Sequence, residues 1–183
     1  WEAVMGENPS RFRSPDRPVE GVNWEDCQRF LARLNGMVEG LEARLPTEAE
    51  WELGCRAGTS GMTWLGDFEI RKNEDVPGLD GIAWYEGNSG GGTHPVAMKA
   101  ANPNGLFDML GNVCEWCSDW WGDDQPDGAI DPRGPEAGSL RVVRGGSWLS
   151  HARYVRAACR DAYEPSLTSG YLGLRLARGQ ATR

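Results

Sequence analysis

The chain has no apolar run near the roughly 18 residues that a membrane-spanning helix requires, so no membrane span is expected in it. Histidine is scarce. His94 and His151 are the only two, too few for a histidine-rich iron or zinc centre. No Ser/His/Asp set lies in the strand-turn-helix context of a nucleophile elbow, which argues against a serine hydrolase. The glycine-rich run Asn88-Ser89-Gly90-Gly91-Gly92-Thr93-His94-Pro95 has no strand before it and no Gly-Lys-Ser/Thr after it, so a surface turn is expected rather than a nucleotide loop. Positive charge is in deficit: 19 Lys and Arg stand against 27 Asp and Glu, a formal charge of −8. That balance argues against nucleic acid or an anionic membrane as the main partner.

Five cysteines, an odd number spread over positions 27, 55, 114, 117 and 159, do not make a complete disulfide framework and fit a reducing compartment. Cys114-x-x-Cys117 is the one compact pair. Zinc would need further ligands, and a thioredoxin-type site would need a thiolate at a helix N-terminus, so both are read as buried structural thiols. No export signal is visible, but the chain starts at Trp1-Glu2-Ala3-Val4-Met5-Gly6, like the tail of a helix and without an initiator Met. An upstream segment is therefore expected. Location stays open between the cytoplasm and, with an export signal upstream, the cell surface.

What the chain does have is 25 Gly and 11 Pro beside nine Trp, the composition of a loop-rich folded domain rather than a disordered one. Its 183 residues suit one domain. After turn chemistry at Asn8-Pro9-Ser10 and Ser14-Pro15-Asp16-Arg17-Pro18, Asn23 and Asp26 cap a helix. Its apolar face, Cys27, Phe30, Leu31 and Leu34, is expected to pack on a sheet. Thr47 and Glu50 form a second capping box, for a helix that ends near Gly58 and uses Trp51 as a core anchor. Residues 58–105 read as loop. The aromatic-dense stretch Leu106 to Trp121 reads as a strand or turn entering the core, and the acidic run Gly122 to Gly128 as solvated surface.

Toward the C-terminus, Arg141-Val142-Val143-Arg144-Gly145-Gly146-Ser147-Trp148 and Gly173-Leu174-Arg175-Leu176-Ala177-Arg178 look like two short buried strands. Between them residues 149–172 show no amphipathic order, so the strands are expected to clamp a long recognition loop. Asn112, the Val113 carbonyl and Glu115 are hard oxygen donors suited to Ca²⁺. The competing reading has Asn112 capping a turn and Glu115 paired with an arginine.

Arg44-Leu45-Pro46-Thr47-Glu48-Ala49-Glu50-Trp51-Glu52, Gly105 to Trp116, Arg141 to Trp148 and Gly173-Leu174-Arg175-Leu176 together resemble, in order and over nearly the whole chain, the motifs of the formylglycine-generating-enzyme (sulfatase-modifying factor) family. The resemblance implies an α+β fold, a decorated C-type-lectin-like domain with limited regular structure. The family's oxidases bind copper through two loop cysteines. Aligned on Arg-Gly-Gly-Ser, those positions hold Ser150 and Val155, and neither a hydroxyl nor an isopropyl group replaces a thiolate at a soft Cu(I) site.

Another branch fits better: the variable proteins of diversity-generating retroelements, whose C-terminal loop is rewritten by adenine-directed mutagenesis. In that resemblance Trp148, Arg153, Arg156 and Arg160 are frame residues that hold the face at 148–172. The slots between them hold Leu149, Ser150, His151, Tyr154, Cys159, Asp161 and Tyr163, continued by Leu167, Ser169 and Tyr171. Randomising the two adenines of an Asn codon can produce every residue in those slots but not Trp, Met, Lys, Gln or Glu. The implied function is binding of a protein or other macromolecular ligand, with no cofactor required and structural Ca²⁺ as the one metal considered. The alternatives are a fixed sensor or scaffold module and a metal-dependent oxidase.

Overall fold

A computed structural model describes residues 1–69, 76–122 and 132–179. Helix α1 (Glu2–Met5) packs on α2 (Trp24–Met37), followed by β1 (Ala43–Arg44) and α3 (Glu48–Arg56). A long region of turns then leads to β2 (Cys114–Trp120), β3 (Arg141–Arg144), β4 (Arg160–Tyr163), β5 (Leu172–Leu174) and β6 (Ala177–Arg178). Helices and strands are both present and much of the chain is loop, in keeping with the expected class. No helix among the described residues is long and apolar enough to cross a membrane.

Both capping boxes form. Asn23 accepts from the Asp26 amide at 2.7 Å while Asp26 accepts from Asn23, and Thr47 and Glu50 repeat the arrangement. Each box satisfies two orphan N–H groups of a first turn. At the other end of α3 the left-handed cap is Ala57, one residue ahead of Gly58.

Strand order in the main sheet is β4-β3-β2-β5, antiparallel except for the parallel β2–β5 pair, and β1 and β6 form a separate two-stranded ribbon. Alternation along the strands sends side chains to opposite faces. Cys114, Trp116, Val143 and Leu172 meet Cys27, Phe30 and Leu31 of α2 on one face. Cys117 and Val142 meet Trp51 and Cys55 of α3 on the other. The Cys-x-x-Cys pair is thus split across the sheet, all five cysteines are free, and burial pushes the Cys114 thiol up to about 12 and Cys117 also well upward.

Four expectations change. The strands at 141–144 and 172–174 are not neighbours, because β2 lies between them. The supposed loop between them contains β4, paired with β3 so that Asp161 lies opposite Val143 and Tyr163 opposite Arg141. A period-two reading of 149–172 had no apolar signal for this strand, since its outer face meets solvent. Leu176 lies beyond β5 and is exposed. The glycine-rich run is only partly a surface turn: Gly90 and Gly91 are exposed, but Ser89 and Thr93 are buried and Gly92 packs against the Phe12 ring. Of the acidic run, residues 123–128 lie outside the described residues.

Candidate functional site

After β3 the chain turns sharply through Gly145 and Gly146, at φ 96° and 71°, backbone angles that side chains disfavour. A Cβ on Gly145 would stand 3.1 Å from Trp51, so glycine also allows close packing on the core. Ser147 and Ser150 then lock a tight turn: the Ser150 amide donates to the Ser147 carbonyl at 3.0 Å, and the Ser147 amide to Ser150 Oγ at 2.9 Å. This turn leaves Leu149 exposed. In the following 3₁₀ turn and its extension, Ala152, Val155 and Ala157 are fully buried while Arg153 and Tyr154 face outward.

The result is a cavity of about 610 Å³ between the end of the sheet and this segment. Leu149, Ser150, Tyr154, Cys159, Asp161, Tyr163 and Tyr171 line it, with Arg156 and Arg160. The Tyr163 hydroxyl donates to Asp161 Oδ2 at 2.7 Å. Burial first, then Asp161, holds the Tyr163 phenol far above its ordinary titration range. Burial likewise raises the Cys159 thiol, against the lowering pull of Arg156 and Arg144. Cys114, Val143 and Ser147 complete the walls, and the sequence did not mark them as lining residues.

Three expected face residues fall outside the cavity. His151 Nδ1 lies 2.5 Å from Glu86 Oε2 on the neighbouring loop. Leu167 lines a separate hollow of about 480 Å³ with Ala162 and Glu164. Ser169 uses its carbonyl to accept from Gly21 and Leu172.

The expected frame also divides. Trp148 is buried, donates from Nε1 to the Gly170 carbonyl at 2.8 Å and meets Phe12 edge-on. Arg160 makes two bonds to Glu48, at 2.6 and 2.8 Å, and lies over the Trp121 ring. Arg153, by contrast, is exposed over the Tyr154 ring, and Arg156 donates from Nε to the Arg153 carbonyl. Inward alanine and valine at 152, 155 and 157 anchor this segment, so 153 and 156 are turned away from the core. The anchoring arginine is Arg144. It is fully buried and donates to the carbonyls of Ala157 and Cys159 and to Glu52, with Nε 3.4 Å from Glu48. The signal for it was parity, since β3 alternates and Arg144 falls on the α3 face with the buried Val142.

Asn112 and Glu115 both hold partners within the protein. Asn112 is held at φ 60° and exchanges two hydrogen bonds with the His94 backbone, at 3.0 and 3.1 Å. Both Glu115 oxygens accept from Arg175 at 2.8 Å, and one also accepts from Trp51 Nε1 at 2.7 Å. A cation at this carboxylate would have to displace Arg175, which leaves Val113 without a ligand set to join. Among the described residues no group of three or more His, Cys, Asp or Glu is placed to hold a metal ion. Ser150 and Val155, which the resemblance aligns with the oxidases' copper cysteines, both lie against Gly146 and present no thiol. Ser89, in a Gly87-x-Ser89-x-Gly91 spacing, is buried and donates to the Trp148 carbonyl at 2.8 Å, so its hydroxyl is structural.

Comparison with known proteins places the chain. The family model described as "Sulfatase-modifying factor enzyme 1-like domain" matches residues 1–180. A formylglycine-generating enzyme of Thermomonospora curvata is 34% identical over 97% of the chain, and the chain spans 60% of that enzyme's length. Among solved structures, Treponema denticola variable protein 1 is 34% identical with a TM-score of 0.82, covering 97% of this chain and 80% of that one. PvdO from Pseudomonas aeruginosa is 30% identical with a TM-score of 0.77, covering 93% and 65%. The fold is therefore α+β, the formylglycine-generating-enzyme type of the C-type-lectin-like fold. With its motifs, its architecture and the family match over residues 1–180 in agreement, the chain belongs to the sulfatase-modifying factor enzyme 1-like domain family.

Proposed function

We propose that the protein is a ligand-binding variable protein of a diversity-generating retroelement, which displays a diversified surface on a rigid lectin-like scaffold. The observation that carries this reading is the cavity wall: seven residues from the variable slots share one concave surface, while the side chains that hold its backbone, Arg144 and Trp148, are buried. Tyr154, Tyr163 and Tyr171 supply large contact area at low rotamer cost, and Ser150 and Asp161 supply adaptable hydrogen bonds, as in antibody loops. Similarity to the T. denticola variable protein supports the same reading. The ligand in this proposal is a protein or other macromolecule.

A second reading, an oxidase, has in its favour the curated relatives named formylglycine-generating enzymes. Against it stand Ser150 and Val155, which provide no soft metal ligand. A fixed-function sensor or scaffold is the third.

The test is sequencing of the gene from a propagated culture of its source, to great depth, with codons 149–171 compared against the rest. Substitutions concentrated in that window at adenines of a nearby template copy are expected. A uniform window with no template copy would overturn the proposal in favour of a fixed-function module.

A further inference from the structure

The arginines of the cavity wall differ in what they leave uncompensated. Arg144 and Arg160 are both engaged by carboxylates of α3, Glu48 and Glu52. Their charge is spent inside the fold. Asp161 is the reverse case: it is exposed, and among the described residues it has no cationic partner within ion-pair distance. Its two oxygens accept from its neighbour Ala162 and from the Tyr163 hydroxyl, at 2.8 and 2.7 Å. An ionised carboxylate offers about four acceptor sites, so acceptor capacity remains for a ligand's donors.

Two rings stand beside that carboxylate. Tyr163 and Tyr171 have centroids 6.2 Å apart and planes inclined at 57°. Trp116 meets Tyr163 edge-on at 84° and fixes its plane from below. A pre-set phenol wedge with a carboxylate at its rim favours a positive group, because the ring faces are electron-rich and the carboxylate supplies the counter-charge. Elsewhere the fold already seats a guanidinium on a face of the same kind, Arg153 over Tyr154 at 4.8 Å.

We propose that Tyr163, Tyr171 and Asp161 form a seat for an organic cation, the basic side chain of a polypeptide ligand. This rests on the proposed ligand-binding role of the cavity and assigns its chemistry. The protein's own charge of −8 draws a basic partner toward it over longer range. Arg156 opposes the cation. It lines the same cavity and has no carboxylate partner among the described residues, so it marks the wall where the ligand is neutral or acidic.

The experiment is titration of the purified protein with Nα-acetyl-lysine amide and Nα-acetyl-arginine amide, followed through the tyrosine ring resonances. Nα-acetyl-norleucine amide is the neutral probe and Nα-acetyl-glutamate amide the acidic one. Saturable shifts at Tyr163 and Tyr171 are expected with the basic probes only. Asp161→Asn, at an exposed position, should weaken them by about fivefold or more, and Arg156→Gln should tighten them by about threefold, the scale of one exposed charge interaction. Equal binding of the norleucine probe, preference for the glutamate probe, or no change in Asp161→Asn would overturn the proposal. A failed titration beside a diversified codon window removes the cation seat alone. A uniform window beside a successful titration removes the variable-protein role and leaves the seat.

Discussion

Ser150 and Val155 meet at Gly146: a Cβ on that glycine would stand 3.5 Å from Ser150 and 3.2 Å from Val155. Five residues apart in the chain, they are neighbours because the Ser147–Ser150 turn and the 3₁₀ turn fold the intervening segment back on itself. The geometry that would bring two thiolates together is thus retained while the thiolates are not. Ser150→Cys with Val155→Cys should therefore raise affinity for Cu(I) by about tenfold or more over the parent, since soft ligands select soft ions. Competition against a chromophoric Cu(I) chelator measures this, and equal affinities would show that the two positions do not converge in solution.

Glu115 and Arg175 bridge β2 to the chain just after β5, and the pair pushes Arg175's pKa upward despite its burial. With Trp51 also donating to Glu115, the carboxylate has little capacity left for a cation. A ligand bound only to the native state must stabilise it, so chelation should leave the melting temperature unchanged within about 1 °C if no calcium is held. A fall of several degrees, reversed by added Ca²⁺, would restore the metal reading of Asn112, Val113 and Glu115.

Arg144 ties the variable segment to helix α3. Its side chain is wholly buried and reaches Glu52 together with the carbonyls of Ala157 and Cys159. Removing it takes the donor from the Ala157 and Cys159 carbonyls and a partner from Glu52, and breaking a buried charged network of this kind costs on the order of 3 kcal/mol. Arg144→Met should lose that amount in urea denaturation. Arg153→Met, exposed and off the core, should change stability by less than about 0.5 kcal/mol.

Glu20 gives the fold a pH dependence. It is fully buried, one oxygen accepts from the Phe12 amide at 2.7 Å, and the other has no hydrogen-bond partner. Burial raises its carboxyl above the ordinary range, against lowering by the Phe12 and Arg11 amides and the Arg11 charge. A carboxyl raised in the folded state holds its proton more tightly there. Its stabilising contribution is complete below the unfolded pKa of about 4.3 and is lost as pH rises through the folded value. Glu20→Gln keeps the acceptor for Phe12 and removes the charge, so it should gain on the parent between pH 4 and pH 7. Equal stability differences at both pH values, from urea denaturation, would remove Glu20 as the titrating group.

Much of the local structure was legible in the residues. Asn23 with Asp26 and Thr47 with Glu50 declare helix starts because capping is a short-range hydrogen-bond exchange, and both form. Trp51 and the α2 face are buried as their size and spacing require. Strand β4 was not legible, because Arg160-Asp161-Ala162-Tyr163 carries no apolar alternation and owes its strand form to pairing with β3. The end of α3 near Gly58 was legible, but the choice of Ala57 as its left-handed cap was not.

The sequence by itself determined the family, through motifs that span the chain in order, and the absence of thiols at positions 150 and 155, because chemical identity needs no coordinates. Tertiary structure alone decided which residues of 149–172 share a surface. Strand pairing carries Asp161 and Tyr163 to the cavity beside Tyr171, while local turns send His151 to Glu86 and Ser169 to Gly21. It also decided that Arg144, not Arg153 or Arg156, anchors the segment. The physical reason is the same in each case: a loop with no amphipathic period has no preferred face until the core beneath it is packed.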